Sequence, residues 1–315
     1  MFPSISDLFL EKTDQATSPS VLEVEYLSTR WRQIKSQLLY ADLFEGSLLN
    51  RLKSWHQLQK ACQIEKKNYQ SHHQYKVPNH ILKKDLMELF YVPFQNIVVD
   101  PEPFHRKNLA SPPKKLTTDE RSMLRRQLNV EHDDLLIYLA DEPNLQNGLY
   151  QALSTMKYFK DQKVNHLKLL LSHSYTTVTI KRQLKELGIS SVIVLANESE
   201  EPFKLLSACD IAFLPALYAP HTPSLLKAMV SGRPVVLSSE VGGIEMHLKR
   251  LSPYVFPAGS QASIIANCLL PLLRSQNLRQ QIGEENAKAV QDQTQTPILC
   301  DLGLGNLSRV DPPKA

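Results

Sequence analysis

One helix start in the second half of the chain has the makings of an anion site. Thr222 followed by Pro223 pairs a good N-cap with a residue suited to the first helical position, so the helix beginning there presents free backbone amides. His221, Lys227 and Arg233 supply positive charge along the same stretch, and Ser224 adds a hydroxyl. Two readings fit: a working anion site, or an ordinary capped helix with solvated basic side chains. Other chemistry-bearing residues read more plainly. His72 and His73 have no acid or cysteine at ligand spacing, and His132 with Asp133 and Asp134 reads as a solvated turn before a strand. Cys62, Cys209, Cys268 and Cys300 lie far apart without a CxxC pair, so no metal site and no disulfide framework is expected, and a reducing cytoplasm fits.

The elements that must position these residues fall into two regions. From about Val21 to Phe90 apolar residues recur at helical spacing, as in Leu48, Leu49, Leu52, Trp55 and Leu58, with no convincing strand among them. A proline-containing stretch from Pro101 to Pro113 interrupts regular structure. Thr117 and Glu120 then form a capping-box pattern ahead of a helix. Beyond it, short apolar runs alternate with helical patterns: Leu135–Leu139, Leu167–Leu171, Val192–Leu195, Ile211–Leu214 and Val235–Leu237 as strands, each followed by a helix. Helical patterns over Ser260–Leu273 and Gln276–Val290 close the series, and the tail after Thr294 reads as loose. Continuous apolar strands separated by helices predict a doubly wound parallel sheet, and ligands of such sheets sit at the carboxyl ends of the strands.

Composition sets the outer limits. The 315 residues are 42% hydrophobic and 22% charged, which excludes disordered, collagen-like and coiled-coil readings. A net charge of +4 with scattered basic residues gives no stripe for nucleic acid. Ten glycines against twenty prolines disfavour an efficient phosphate-cradling loop. The start of the chain lacks the basic and apolar regions of a signal peptide, and the richest apolar run, Ile264 to Leu273, is too short to span a membrane. The expected location is the cytoplasm, with peripheral contact to the inner membrane left open. The Leu48 to Leu58 stripe, flanked by Arg51, Lys53, Lys60, Lys66 and Lys67, fits either packing against the α/β domain or an anionic membrane surface.

The segment Ser207 to His247 resembles the C-terminal donor-binding domain of retaining family-4 (group 1) glycosyltransferases of the GT-B fold. The matching positions are Cys209-Asp210, Pro215, Leu226, Ala228-Met229, Ser231-Gly232, Pro234-Val235-Val236, Gly242-Gly243 and Glu245. Tyr91-Val92-Pro93, Arg125-Arg126-Gln127-Leu128-Asn129 and the stretch from Leu278-Arg279 to Asn286-Ala287 extend the resemblance to about Tyr91–Val290. It implies residues 96–292 as a donor-nucleotide domain, residues 1–95 as a helical segment forming part of an acceptor-side domain, and residues 293–315 as a loose tail. Enzymes that build lipopolysaccharide core are nearest in style. The resemblance implies a nucleotide-sugar donor as substrate, no separate cofactor, and a glycan or lipid-linked acceptor.

Against that family pattern the chain departs at the reacting groups. The E-x7-E carboxylates, expected to face the sugar and the nucleotide ribose, fall at Ala219 and Lys227. The E-G-F-G loop becomes Ala219-Pro220-His221-Thr222, and the basic residue before the first-loop glycine becomes Gln146-Asn147 ahead of Gly148. Gln146 and Asn147 donate hydrogen bonds but carry no charge. The resemblance places Gln146, Asn147, Gly148, His221, Thr222, Ser224, Lys227, Gly242, Gly243 and Glu245 around the donor. Two functions follow: a glycosyltransferase of envelope glycan assembly, or a catalytically silent binding or scaffold subunit. The N-terminal part is too short for a complete acceptor domain, so a donor-domain remnant, a degenerate product, or half of a split enzyme completed by another subunit is expected.

Overall fold

A computed structural model describes residues 21–23, 27–36, 48–71, 74–100, 116–172, 178–196, 201–220, 223–244 and 251–295. Two parallel sheets organise them. In the N-terminal part, β1 (Val21–Glu23), α1 (Ser28–Ser36), α2 (Leu48–Ser71), β2 (Gln74–Val77), α3 (His80–Phe90) and β3 (Ile97–Val99) build a three-stranded sheet of order β1-β2-β3 with helices against it. This corrects the purely helical reading of residues 21–90: helices predominate, but two short strands lie among them. The strands are three and four residues long, too short for a period-2 signal to stand out against neighbouring helices.

Burial follows from the chemistry of each helix. Leu27, Tyr69, Tyr75, Val77, Leu82, Leu86, Val92 and Ile97 form the N-terminal core. The buried Glu65 of α2 caps the start of α1, accepting the Ser28 N–H, the Thr29 N–H at 2.9 Å and the Thr29 hydroxyl at 2.7 Å. A carboxylate against a helix amino end is held both by those donors and by the helix dipole. In the apolar stripe of α2, Leu58 is buried, but Leu52 and Trp55 face solvent and the helix packs on α1. The Asn79 side chain caps α3 by accepting the Leu82 N–H at 3.1 Å.

The C-terminal part holds α4 (Thr118–Gln127), β4 (Leu135–Leu139), α5 (Leu149–Asp161), β5 (Leu167–Leu171), α6 (Val178–Glu186), β6 (Ile193–Leu195), α7 (Pro202–Ala208), β7 (Ile211–Leu214), α8 (Pro223–Val230), β8 (Val235–Ser238), β9 (Val255–Phe256), α9 (Ala262–Arg274) and α10 (Gln276–Gln295). The six strands are all parallel, in the order β6-β5-β4-β7-β8-β9. Side chains alternate between the faces, which gives two cores. Leu136 and Tyr138 face α4, α7 and α8, while Ile137 and Leu139 face α5 and α9. The capping box expected at Thr117 and Glu120 is present in both directions, at 3.2 and 2.7 Å.

The strand order fixes where a ligand crevice must open. From β4 the chain steps outward through β5 and β6, then returns to the other side of β4 for β7, β8 and β9. The switch point therefore lies between β4 and β7, at their carboxyl ends. The loops of residues 140–148 and 215–220 leave the sheet there.

Candidate functional site

Two glycines set how closely these loops approach. Gly148 has φ +82°, and a Cβ on it would sit 1.9 Å from the Pro215 carbonyl oxygen. Gly242, in the turn after β8, would place a Cβ 1.6 Å from the Pro220 carbonyl oxygen and 2.6 Å from Asn79 Nδ2. Both glycines let backbone meet backbone. Gly243, at φ +84°, has open space beside it.

The side chains of the first loop are spent on its own scaffold. Gln146 donates from Nε2 to the Tyr218 carbonyl at 2.9 Å, and its own carbonyl accepts the Leu217 N–H at 2.8 Å. Asn147 donates from Nδ2 to the Glu142 carbonyl at 3.1 Å, and its N–H bonds Asn144 Oδ1 at 2.9 Å. Ala219 is fixed by its backbone: its N–H donates to the Glu240 carbonyl at 3.0 Å and its carbonyl accepts the Gly242 N–H at 2.8 Å, as a bridge beside Val241. Only 6% exposed, Ala219 belongs to the apolar cluster with Leu225, Leu226 and Ile244.

At the amino end of α8, Ser224 donates its hydroxyl to Asp141 Oδ1. Asp141 thus brings an internal carboxylate to the helix end whose amides would otherwise face a ligand. Pro223 is the first residue of α8, and Lys227 lies half-buried in its last turn. Arg233 is not beside the helix start: it follows the carboxyl end of α8 and donates to the Ser207 carbonyl at 2.7 Å, at the opposite edge of the sheet. An eight-residue helix separates the two ends by about 12 Å. His221, Thr222, Glu245, His72 and His73 lie outside the described residues.

The N-terminal part closes over this loop cluster. Tyr218, fully buried, donates its hydroxyl to Asp85 Oδ2 at 2.8 Å, and Arg30 Nε donates to Asp85 Oδ1 at 2.7 Å. Asn79 Nδ2 donates to the Pro220 carbonyl, so α3 is pinned to the loop by its cap and by its middle. Burial pushes the Asp85 carboxyl above the ordinary carboxylate range, against the pull of Arg30 and Tyr218. Glu240 is likewise raised, first by burial and then by the charge of Asp85.

Sequence reasoning therefore missed Asn79, Asp85, Asp141, Tyr218 and Glu240. The signal for Asp141 was there, an acid two residues beyond the last strand residue of Leu135–Leu139. For the others it was not, because they meet only through tertiary contacts between halves far apart in sequence. Among the described residues no group of three or more His, Cys, Asp or Glu is placed to hold a metal ion. No described helix is long and apolar enough to cross a membrane.

Residues 120–289, more than half of the chain, match the glycosyl transferases group 1 family. The chain belongs to that family. An uncharacterised glycosyltransferase of Methanocaldococcus jannaschii is 26% identical over 132 residues, which cover 41% of this chain and 33% of that protein. The fold matches WaaG, a glycosyltransferase involved in lipopolysaccharide biosynthesis, with a TM-score of 0.63 at 14% identity, covering 87% of this chain and 70% of that one. It also matches sucrose-phosphate synthase of Thermosynechococcus elongatus (TM-score 0.61, 15% identity, 88% and 64% covered). HepE of Anabaena bound to UDP-glucose gives a TM-score of 0.62 at 11% identity, with 87% and 68% covered. The chain thus spans about a third of the curated relative and roughly two thirds of these structures. Its architecture is that of the GT-B glycosyltransferases.

Proposed function

We propose that this group 1 glycosyltransferase acts in envelope glycan assembly, of the lipopolysaccharide-core kind, taking a sugar from a nucleotide donor bound at the β4–β7 switch point. The observation that carries the reading is the convergence there of the loops of residues 140–148, 215–220 and 239–244 on the amino end of α8. Residues 96–292 serve as the donor-nucleotide domain and 1–95 as part of the acceptor side. Support for the donor class comes from HepE, crystallised with UDP-glucose on the same fold, and support for the glycan class from WaaG. In the transfer, an acceptor hydroxyl oxygen bonds the anomeric carbon, the bond to the diphosphate breaks, and the hydroxyl proton leaves. The leaving diphosphate is anionic, and Lys227 with the α8 amides is the cation and dipole available to it. A lipid-linked acceptor finds a suitable surface on α2, where Leu52 and Trp55 stand exposed among Lys53, Lys60, Lys66 and Lys67.

A second reading rests on a specific observation. Ala219 and Lys227 occupy the two carboxylate positions of the family motif, and Ala219 is sealed in an apolar cluster. This favours a silent scaffold subunit, or half of a split enzyme whose acceptor domain another chain supplies. Calorimetric titration with UDP, ADP and GDP separates the two. Micromolar binding, about −8 kcal/mol, weakened roughly tenfold or more in Lys227→Ala, supports the donor reading. Absence of binding by wild type and by Lys227→Glu alike overturns it and leaves the scaffold reading.

A further inference from the structure

At the amino-terminal edge of the six-stranded sheet, away from the loops above, four arginines gather around one carboxylate. Asp210 precedes β7 and accepts Arg121 Nη2 on Oδ1 at 2.8 Å, and Arg125 Nη1 and the Leu136 N–H on Oδ2 at 3.1 and 2.8 Å. Arg233, before β8, gives Nη2 to the Ser207 carbonyl at 2.7 Å, and its Nε is buried without a hydrogen-bond partner. Arg279 of α10 caps the last carbonyls of α9 and lies within electrostatic reach of Asp210 and Arg121.

The charges here do not balance. Asp210 and the carboxyl ends of α7 and α9, whose carbonyls receive these guanidiniums, supply about two negative charges against four positive ones. Asp134 gives Arg125 only its backbone carbonyl; its carboxylate accepts the Glu131 N–H and faces His166 at 3.6 Å. Cys209 is fully buried and its thiol is pushed up to about 12, so it remains neutral and adds no countercharge. Burial lowers the Arg233 pKa, the mark of a guanidinium whose lost hydration is not offset by neighbouring acids. A bound water would satisfy Nε but would leave the excess charge. Arg121, with 31% of its side chain exposed, opens the cluster to solvent.

We propose that Arg121, Arg125, Arg233 and Arg279 form a binding site for a soluble phosphate-class oxyanion, separate from the donor crevice. Tetrahedral oxyanions accept several guanidinium N–H groups at once, and Arg233 Nε is a buried donor without a hydrogen-bond partner in the structure. The site lies between α4, the turn from α8 into β8, and α10, so an occupant ties α4 to two elements more than a hundred residues further along the chain.

The test uses the full chain with inorganic phosphate as the probe. Thermal melting and calorimetry are run against sodium chloride at matched ionic strength, for wild type, Arg233→Met, Arg121→Met and Lys227→Met. Millimolar or tighter phosphate binding, with a melting rise of a few degrees over chloride, is expected of wild type. Arg233→Met should weaken it at least tenfold, Arg121→Met should weaken it several-fold while keeping the fold, and Lys227→Met should leave it unchanged. No phosphate-specific rise in wild type overturns the proposal, which would make the cluster a structural one holding an adventitious ion only. Binding that survives both arginine substitutions, or that is lost in Lys227→Met, also overturns it, the latter by placing the anion in the donor crevice.

Discussion

Replacing Ala219 by glutamate would put back the first carboxylate of the family motif, and the surroundings of Ala219 predict damage instead of repair. The residue is 6% exposed, bridged through its backbone to Glu240 and Gly242, and packed in an apolar cluster. Adding four heavy atoms to such a site costs about 1–3 kcal/mol in overpacking. The charge adds more, but only up to a ceiling, because a buried carboxyl escapes by taking a proton. With an unfolded pKa near 4.3, protonation at pH 7 costs about 3.7 kcal/mol, and at pH 5 about 1 kcal/mol.

The sign follows from linkage. A folded-state pKa above the unfolded value means that the folded form gains protons first as pH falls, so the destabilisation is greatest at pH 7 and relieved toward pH 5. We expect Ala219→Glu to lose about 4–6 kcal/mol at pH 7 and about 2–3 kcal/mol less than that at pH 5. Ala219→Gln, similar in size and uncharged, should show only the overpacking loss at both values. Urea unfolding followed by circular dichroism, with wild type measured in each buffer, provides the comparison. If Ala219→Glu stays within about 1 kcal/mol of wild type at pH 7 with no dependence on pH, the side chain has water to reach, and the loop of residues 215–220 is more open than its contacts indicate.

The contact between the two halves yields three further expectations. Tyr218→Phe removes the hydroxyl that donates to the buried Asp85, and a loss of about 1.5–3 kcal/mol in urea unfolding is expected; a neutral outcome would mean that Arg30 alone satisfies that carboxylate. Gly242→Ala drives a methyl into the Pro220 carbonyl and Asn79, so its melting temperature should fall by several degrees, and an unchanged melt would mean that α3 is not held against this loop. Glu240 has a folded pKa raised by burial, so its charged form opposes folding at neutral pH and the opposition is relieved as pH falls through that raised value toward 4.5. Glu240→Gln should therefore be more stable than wild type at pH 7, with the difference closing by pH 4.5; a constant difference would exclude titration as its cause.

Much of the six-stranded sheet was legible because its strands are largely apolar. Leu135–Leu139, Leu167–Leu171 and Ile211–Leu214 coincide with the strands read from sequence, since parallel strands covered on both faces leave few polar positions, such as Lys168 in β5, to blur the pattern. The capping box at Thr117 was legible for a different reason: its two hydrogen bonds join residues only three apart. The N-terminal strands were not, because Gln74–Val77 alternates over four residues beside a 24-residue helix whose pattern dominates any window. The stripe from Leu48 to Leu58 is divided in the structure, with Leu58 buried and Leu52 and Trp55 exposed. It is Glu65, a charged residue, that α2 buries most completely, because the amino end of α1 supplies the donors that a buried carboxylate needs.

The donor crevice shows where local reading stops. Gln146 and Asn147 were read as donors available to a ligand, and as donors they act, but toward carbonyls of their own loops. Side-chain amides that replace cationic residues lose the long-range attraction for a diphosphate and keep only short-range bonding, which nearby backbone carbonyls meet first. The same substitution logic extends to Asp141: a carboxylate bonded to Ser224 gives the α8 amino end the anion it favours from within the chain. On the proposed donor reading, a diphosphate would compete with that internal anion, and its affinity would depend on how much positive charge Lys227 restores. The effect of Lys227→Ala on nucleotide binding therefore reports on the motif position and on the loop charge together.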